Sequence, residues 1–345
     1  MSEAPAGDLL PDAPHPRSRS RLFGHGAVEA TLLGDFRAGR LPHALLIGGP
    51  EGIGKATLAY RLARTVLAGA GEAHAAHDLS VPENNPVFRQ VASLTHPDLL
   101  VLRRAPEAGE EKIPTVIPAE MVRRVRPFFG STAAAGGWRV CIVDTVDDLN
   151  AFGAHALLKT LEEPPPNSLF LLITHAPGRV LATIRSRTRL LRMRPLATDD
   201  VLAALDDLKA DMPELDEALL PAAAEASGGS VRRAIILAKG EGMEVRQATL
   251  RALSQLPNVK AEELHALGAR LQGDRSDGLA LFVEAVSDYV AGEATRADLA
   301  RPRLYRLTEV WEKVRRSAAE TDVFNLDRKA LVFRIFADLA DAVRA

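Results

Sequence analysis

The fold of this chain is decided by a glycine-rich stretch, Gly49-Pro50-Glu51-Gly52-Ile53-Gly54-Lys55. It matches the pattern G-x-x-x-x-G-K of a phosphate-binding loop, in which backbone N–H groups surround phosphates and the lysine contributes a positive charge. The next position normally carries a Ser or Thr that ligates magnesium, and here it is Ala56, with Thr57 following. The pattern therefore predicts a nucleotide site that lacks one hydrolytic part, and it leaves open a loop kept only for its shape.

The segments around this loop place it in a P-loop fold. An apolar strand at 44–47 precedes it, and a helix follows whose apolar face carries Leu58, Leu62 and Val66. The positive end of that helix would point at bound phosphates. Further strands are predicted at 99–102, 138–144, 169–173 and 188–193, alternating with helices at 118–126, which Pro127 is expected to end, and 150–163. The interval 71–98, rich in Gly, Ala, His, Pro and Asn, is predicted to be a long connection. This alternation predicts an α/β fold with a doubly wound parallel sheet that binds ligands at the carboxyl ends of its strands.

Two of these strands end in residues of possible catalytic importance. Asp144 follows four apolar residues and suits a metal-orienting carboxylate, although an ordinary strand-end acid is the alternative. Thr145 stands where an ATPase of this kind places a glutamate, and a threonine hydroxyl cannot act as a general base. Thr174 ends the strand at 169–173, so it is interpreted either as orienting a water or terminal phosphate or as a plain turn residue.

The bulk composition indicates a globular protein with two or three domains. The chain has 345 residues, 47% of them hydrophobic and 26% charged, and a net charge of -2. That charge gives no global attraction to nucleic acid or to an anionic membrane. One cysteine, Cys141, excludes an internal disulfide and fits a cytoplasmic location, and no apolar run is long enough to span a membrane. The predicted divisions are a disordered leader at 1–20, the P-loop core at 21–195 and helical segments at 196–247 and 248–345.

Clusters of basic and histidine residues leave several interpretations open. Arg187 belongs to a row with Arg185, Arg189, Arg192 and Arg194, which indicates either a solvated strand face or an arginine that serves another active site. His74, His77 and His96 have a spacing that metal sites use, but they lack nearby cysteines or clustered carboxylates, which argues against a metal. Arg123 and Arg124 are interpreted as solvated, with contact to a DNA backbone as the alternative.

The segment Ala156-Leu157-Leu158-Lys159-Thr160-Leu161-Glu162-Glu163-Pro164-Pro165 resembles the most recognisable stretch of the bacterial DNA polymerase III clamp-loader subunits. The resemblance extends over nearly the whole chain from about residue 20, including the segments 40–44, 49–55, 96–98, 186–188, 229–232 and 324–329. Within this family, Ala56 and Thr145 indicate the delta prime type. The gamma/tau motor type keeps the hydroxyl and the glutamate at these positions.

The resemblance implies an AAA+ core, a small helical lid at 196–247 and a helical collar at 248–345 that joins subunits into a pentameric ring. It implies that Arg187 is a finger acting in trans on the ATP of a gamma/tau neighbour and that Arg232 is at the second-sensor position. The expected partners are the gamma/tau and delta subunits, and the sliding clamp and primed DNA through the complex. The family's four-cysteine zinc module has no cysteine counterpart at 70–95, so no zinc is predicted. Thr188 replaces the cysteine after the finger, and ATP binding by this chain stays open.

Two other functions are considered. A true motor ATPase of the same superfamily would hydrolyse ATP itself, and Ala56 and Thr145 argue against it. A P-loop kinase for small molecules would need a compact lid over an acceptor site, and the separate helical C-terminal region argues against that.

Overall fold

The computed structural model describes residues 10, 13–69, 71, 77–105, 114–130, 133, 137–272, 276–295, 301–324 and 327–344. The chain divides into two compact units. The first comprises Met1–Pro213 and Ser227–Arg232, and the second comprises Glu214–Ala226 and Arg233–Ala345. The predicted division into core, lid and collar stays a prediction.

A parallel sheet organises the first unit. Its strands are β1 (Ala44–Gly48), β2 (Leu99–Arg103), β3 (Arg139–Asp144), β4 (Ser168–Thr174) and β5 (Arg189–Arg192). They lie in the order β2-β3-β4-β1-β5, and every neighbouring pair is parallel. Strand β1 lies between β4 and β5. The loop that follows β1 lies at the carboxyl edge of the sheet, because all strands of a parallel sheet end at that edge. The predicted doubly wound α/β fold is confirmed.

Helices pack on both faces of this sheet. The helices of the first unit are α1 (Gly26–Arg37), α2 (Lys55–Ala68), α3 (Pro86–Ala92), α4 (Ala119–Arg123), α5 (Val125–Gly130), α6 (Ala151–Glu162), α7 (Ala182–Arg185) and α8 (Thr198–Leu208). Alternate residues of β1 enter different cores, because successive strand side chains point to opposite faces. Leu45 packs in the cluster that holds Leu58 of α2, whereas Leu46 packs in the cluster that holds Leu157 of α6.

Two sequence predictions about helices are corrected. The interval 71–98, predicted as a connection, contains α3, which begins with Pro86 after the capping residue Asn85, whose side chain accepts from the Val87 N–H. The predicted helix 118–126 was expected to end before Pro127, but Pro127 lies inside α5. Proline is tolerated there because the N–H groups of a first helical turn need no helical partner.

The described residues 13–20 correct the prediction of a disordered leader. Arg17 is buried, and its Nε donates to the Ala92 carbonyl at 2.7 Å. Arg64 of α2 donates from Nη2 to the Arg19 carbonyl at 2.5 Å. These guanidinium groups attach the segment to α2 and to the end of α3. The proline-rich composition of the segment gave no indication of these contacts. The rest of the predicted leader, 1–9 and 11–12, lies outside the described residues.

The same segment also contacts α8. The Arg19 guanidinium forms ion pairs with Asp207 and, at 2.6 Å, with Asp211. Arg21 pairs with Asp207 at 3.0 Å. The N-terminal segment therefore connects three helices of the first unit.

His15 in this segment makes the stability of the fold dependent on pH. Burial, and then the charge of Arg103, lower the pKa of His15 from 6.5 to about 4. Between these values the unfolded chain binds a proton that the folded chain does not, so the free energy of unfolding falls as pH decreases from 6.5 to 4. We expect His15 to account for about 2–3 kcal/mol of that loss.

Urea unfolding at pH 7 and pH 4.5 tests this contribution. The variant His15→Gln carries no titrating ring, so its free energy of unfolding should decrease less than that of the wild type over this interval. Equal decreases in the two proteins would contradict the prediction.

The second unit is helical in its described part. It contains α9 (Leu220–Ala226), most of α10 (Val231–Ala238), α11 (Glu241–Ser254), α12 (Ala261–Leu271), α13 (Ser276–Ala294), α14 (Arg301–Phe324) and α15 (Arg328–Arg344). Phe282 and Val286 of α13 are fully buried, as is Leu339 of α15. None of the helices in the described part of the chain combines the length and the apolar content that a membrane crossing requires.

Candidate functional site

The glycine-rich loop connects β1 to α2 at the carboxyl edge of the sheet. Gly52 and Gly54 adopt left-handed φ values of 75° and 95°, which side chains strain. A Cβ atom on Gly52 would also come within 2.6 Å of the Cβ of Arg232. Gly49 donates its N–H to the Thr174 carbonyl at 3.3 Å, which fixes the start of the loop to the end of β4. The predicted loop thus has the backbone form that lets N–H groups approach phosphates.

The first turn of α2 follows this loop directly. Lys55 is its first residue, Ala56 contributes no hydroxyl, and Thr57 is half-buried. The helix is 14 residues long and its N-terminal N–H groups have a partial positive charge that suits an anion. The loop and helix therefore fit the phosphates of a nucleotide, but the usual magnesium-ligating hydroxyl is missing.

Lys55 is turned back onto its own loop. Its side chain is only 4% exposed. The ammonium Nζ donates to the carbonyl of Gly49 at 2.8 Å, to the carbonyl of Pro50, and to Nδ1 of His175 at 2.9 Å. Burial lowers the pKa of Lys55 to about 8, and the carboxylates of Glu51, Asp144 and Asp147 oppose that shift.

The lowered pKa of Lys55 predicts an alkaline gain in stability. The folded chain releases this proton near pH 8, whereas the unfolded chain holds it to 10.5, so the unfolded state binds more protons between these values. The free energy of unfolding should accordingly rise by about 2–3 kcal/mol between pH 8 and 10.5 relative to the variant Lys55→Met. Urea unfolding of both proteins at pH 7.5 and pH 10 measures this difference, and parallel pH dependence would contradict it.

Asp144 and Thr145 lie at the end of β3. Asp144 is half-buried at the carboxyl edge of the sheet. Its negative charge acts on Lys55, where it opposes the lowering of the lysine pKa by burial. Thr145 is 2% exposed and donates its hydroxyl to Asp148 Oδ2 at 3.2 Å. The position at which an ATPase activates water thus holds a buried hydroxyl that is already bonded to a carboxylate.

Thr174 is fully buried at the end of β4 and bonded on both sides. Its hydroxyl donates to Asp147 Oδ1 at 2.8 Å and accepts from the Ala176 N–H at 3.1 Å. The His175 N–H donates to Asp147 Oδ2 at 2.6 Å. A hydroxyl has one proton, so Thr174 cannot donate to a ligand in this arrangement. The sequence analysis missed Asp147, whose signal was the pair of acids Asp147-Asp148 three residues after Asp144 at the end of β3.

Arg232 lies beside the loop, at the start of α10. The Val231 N–H donates to the Gly52 carbonyl at 2.9 Å, which brings this segment against the loop. The Nε of Arg232 lies 3.1 Å from Glu51 Oε1. The structure thus brings Lys55, Arg232, Asp144 and Thr174 around one loop, together with Glu51 and His175, which the sequence analysis did not select.

Arg187 lies at the opposite edge of the sheet. It falls between α7 and β5, and Arg189 of β5 pairs in register with Leu45, near the start of β1. Arg187 precedes Arg189 by two residues and is therefore level with His43 in this register. The glycine loop begins at Gly49, six residues after His43, so Arg187 lies ~20 Å from it along the strand direction. Its guanidinium bonds to the Thr183 carbonyl at 2.9 Å and to Glu162 Oε1 at 2.7 Å, with about a third of the side chain exposed.

The predicted row of arginines is not a uniform solvated face. Arg189 forms an ion pair with Asp35 of α1 at 2.6 Å, and Arg187 pairs with Glu162. Arg185 is exposed, as are Arg192 and Arg194. Within the row, Arg187 and Arg189 therefore have carboxylate partners on different elements.

The predicted absence of zinc stays a prediction. In the described part of the chain no group of three or more His, Cys, Asp or Glu side chains could hold a metal ion. His74 lies outside the described residues.

A parallel sheet in the order 2-3-4-1-5, with a glycine loop after its first strand and an acid at the end of its third, defines an AAA+ P-loop protein. Residues 24–197 match the family model described as DNA polymerase III, delta subunit, and the chain belongs to this family. The predicted resemblance to the delta prime clamp-loader type is confirmed, since the DNA polymerase III subunits delta' of Escherichia coli K12 and Pseudomonas aeruginosa are 33% and 36% identical to this chain.

Individual relatives are similar at moderate identity. The DNA polymerase III subunit delta' of Escherichia coli K12 is 33% identical over 245 residues, which span 71% of this chain and 68% of that protein. The gamma/tau subunit of Mycobacterium bovis is 32% identical over 225 residues, which span 63% of this chain and 36% of that protein. A gamma subunit-related protein of Thermotoga maritima of known structure is 16% identical and covers 90% of this chain and 99% of its own, with a TM-score of 0.39.

Proposed function

We propose that this chain is the delta prime subunit of a bacterial clamp loader: a non-hydrolysing AAA+ protein that helps to load a sliding clamp onto primed DNA. Its partners are the gamma/tau and delta subunits, its location is the cytoplasm, and it reaches clamp and DNA through the complex. Its own contribution is Arg187, which acts in trans as an arginine finger at the ATP of a neighbouring gamma/tau subunit.

The position of Arg187 carries this proposal. It lies at the amino edge of the sheet, ~20 Å along the strands from this chain's own loop, so it cannot serve the nucleotide of its own chain. A partly exposed guanidinium at an edge can reach a site on another subunit. Its planar, permanently charged fork suits phosphoryl oxygens, where such fingers contribute about 10³–10⁵ in rate.

A gamma/tau-like motor ATPase is the second candidate, because Lys55 and the glycine loop are intact. Identity does not separate the two, since delta' and gamma/tau relatives match at 33% and 32%. The residues of the site favour the delta prime function over the motor function. Ala56 has no magnesium-ligating hydroxyl, and the Thr145 hydroxyl is buried and bonded to Asp148.

Steady-state ATP turnover by the pure chain, followed by reconstitution, tests the proposal. We expect no turnover above a buffer blank from the chain alone. Mixed with purified gamma/tau and delta subunits, it should enter one complex by size exclusion and support DNA-stimulated ATPase activity. Robust turnover by the pure chain that Lys55→Ala abolishes would establish the motor function instead.

A further inference from the structure

Every donor of the loop lysine has an acceptor within the chain. An ammonium group has three protons, and Lys55 has three acceptors: the carbonyls of Gly49 and Pro50, and Nδ1 of His175. The side chain is 4% exposed, so water is not a substantial further partner. A phosphate oxygen can therefore bind this ammonium only by displacing one of these acceptors.

His175 is held in place for this contact. Its backbone N–H donates to Asp147 Oδ2 at 2.6 Å, and Asp147 also accepts from Thr174. Because the Lys55 ammonium can only donate, Nδ1 of His175 accepts, and the ring proton lies on Nε2. The end of β4 thus directs an imidazole lone pair at the loop lysine.

The loop also contains its own anion. Glu51 Oε1 lies 3.1 Å from Nε of Arg232, the second cation beside the loop. The negative charge of Glu51 acts on Lys55 as well, since it raises the pKa of that lysine. Glu51 therefore competes with phosphate for Arg232 directly, and its charge weakens the attraction of Lys55 for a phosphate.

We propose that Glu51 and His175 form an internal lock on the phosphate-binding loop, and that a nucleotide binds weakly because its phosphates must displace both side chains. The lock concerns this chain's own loop and does not depend on the trans role of Arg187. Glu51 is the stronger element, because it repels phosphate as well as occupying a cation. His175 contributes only the acceptor that phosphate would replace.

Nucleotide binding by the isolated full chain tests the lock. The probe is the fluorescent analogue mant-ATP in magnesium-free buffer, titrated against the wild type, Glu51→Gln, His175→Ala and the double variant. We expect Glu51→Gln to lower Kd about 5- to 20-fold, from removal of one screened charge close to the phosphates. His175→Ala should lower it about 2- to 5-fold, and the double variant should bind most tightly.

A matched control separates the lock from a general effect of charge. Asp35→Asn also removes one negative charge. It breaks the ion pair between Asp35 and Arg189, which lies at the opposite edge of the sheet. Its Kd should equal that of the wild type. Inorganic tripolyphosphate should displace mant-ATP from Glu51→Gln, which assigns the gain to the phosphates.

Three outcomes would overturn the lock: no gain in affinity with Glu51→Gln, an equal gain with Asp35→Asn, or no measurable binding by any variant. Thermal melting monitored by circular dichroism establishes that each variant is folded, and the half-exposed Glu51 side chain makes its substitution safe for the fold. Because no partner subunit is present, none of these outcomes affects the proposed function of Arg187.

Discussion

Replacing Arg187 with alanine is expected to slow ATP hydrolysis at one site of the assembled complex by about 10³–10⁵-fold. In the proposed function the guanidinium would stabilise charge on the phosphoryl group only in the transition state, so nucleotide affinity at that site should change much less than its rate. Total steady-state turnover should fall only in part, because the proposed complex has further ATP sites that Arg187→Ala would leave unchanged. Clamp loading should slow with it, and ring assembly should not change.

Arg189→Ala is the matched control for this prediction. It removes an arginine two residues away that also forms an ion pair, with Asp35 rather than Glu162. Complexes with this variant should load clamps at the wild-type rate. If Arg189→Ala slows loading and Arg187→Ala does not, the finger has been assigned to the wrong arginine.

The isolated chain should tolerate the loss of Arg187. Both side chains of the ion pair with Glu162 are partly exposed, and pairs of this kind stabilise a fold by at most about 1 kcal/mol. A defect limited to the complex is therefore a defect of function, not of folding.

Glu29→Ala is expected to lower the free energy of unfolding by about 3–5 kcal/mol. Glu29 of α1 is 3% exposed and lies 2.6 Å from Nε of Arg61, which is 2% exposed, on α2. Burial raises the pKa of Glu29, and the bond from Arg61 opposes that shift, so the carboxylate depends on its partner. Removing it leaves a buried guanidinium whose ion pair with Asp78, at 3.3 Å, is the one that remains among the described residues.

Urea unfolding of a double-mutant cycle measures this pair. The variant Arg61→Met with Glu29→Ala removes both charges, so it should be more stable than Glu29→Ala alone. A loss below about 1 kcal/mol for Glu29→Ala would show that the pair does not behave as a buried one. This pair also bears on the position of the glycine loop, because Arg61 lies on α2, the helix that follows the loop.

The sheet and the loop could be predicted from the sequence because their signals are local. Four strands are continuous apolar runs, and the glycine spacing of the loop reflects backbone conformations at Gly52 and Gly54 that only local residues determine. The helix predicted at 150–163 also agrees closely with α6, because the Asn150 side chain that caps it acts within its own turn.

The contacts between side chains within the site could not be predicted in the same way. Glu51 and Arg232 are far apart in sequence, as are Lys55 and His175, and no pattern in one sequence reveals such pairs. The N-terminal arginines were missed for the same reason, since the partners of Arg17 and Arg19 lie on α3 and α8, far away in the sequence. Helix α3 had a local signal, Asn85 before Pro86, within an interval that its composition marked as a loop.

Single-turnover hydrolysis by the reconstituted complex tests the central claim most directly. Complexes with wild-type chain, Arg187→Ala or Arg189→Ala are loaded with radiolabelled ATP, mixed with clamp and primed DNA, and quenched over milliseconds to minutes. The account predicts that the Arg187→Ala complex alone leaves a slow fraction equal to one bound ATP per complex. Identical single-turnover traces for all three complexes would contradict it.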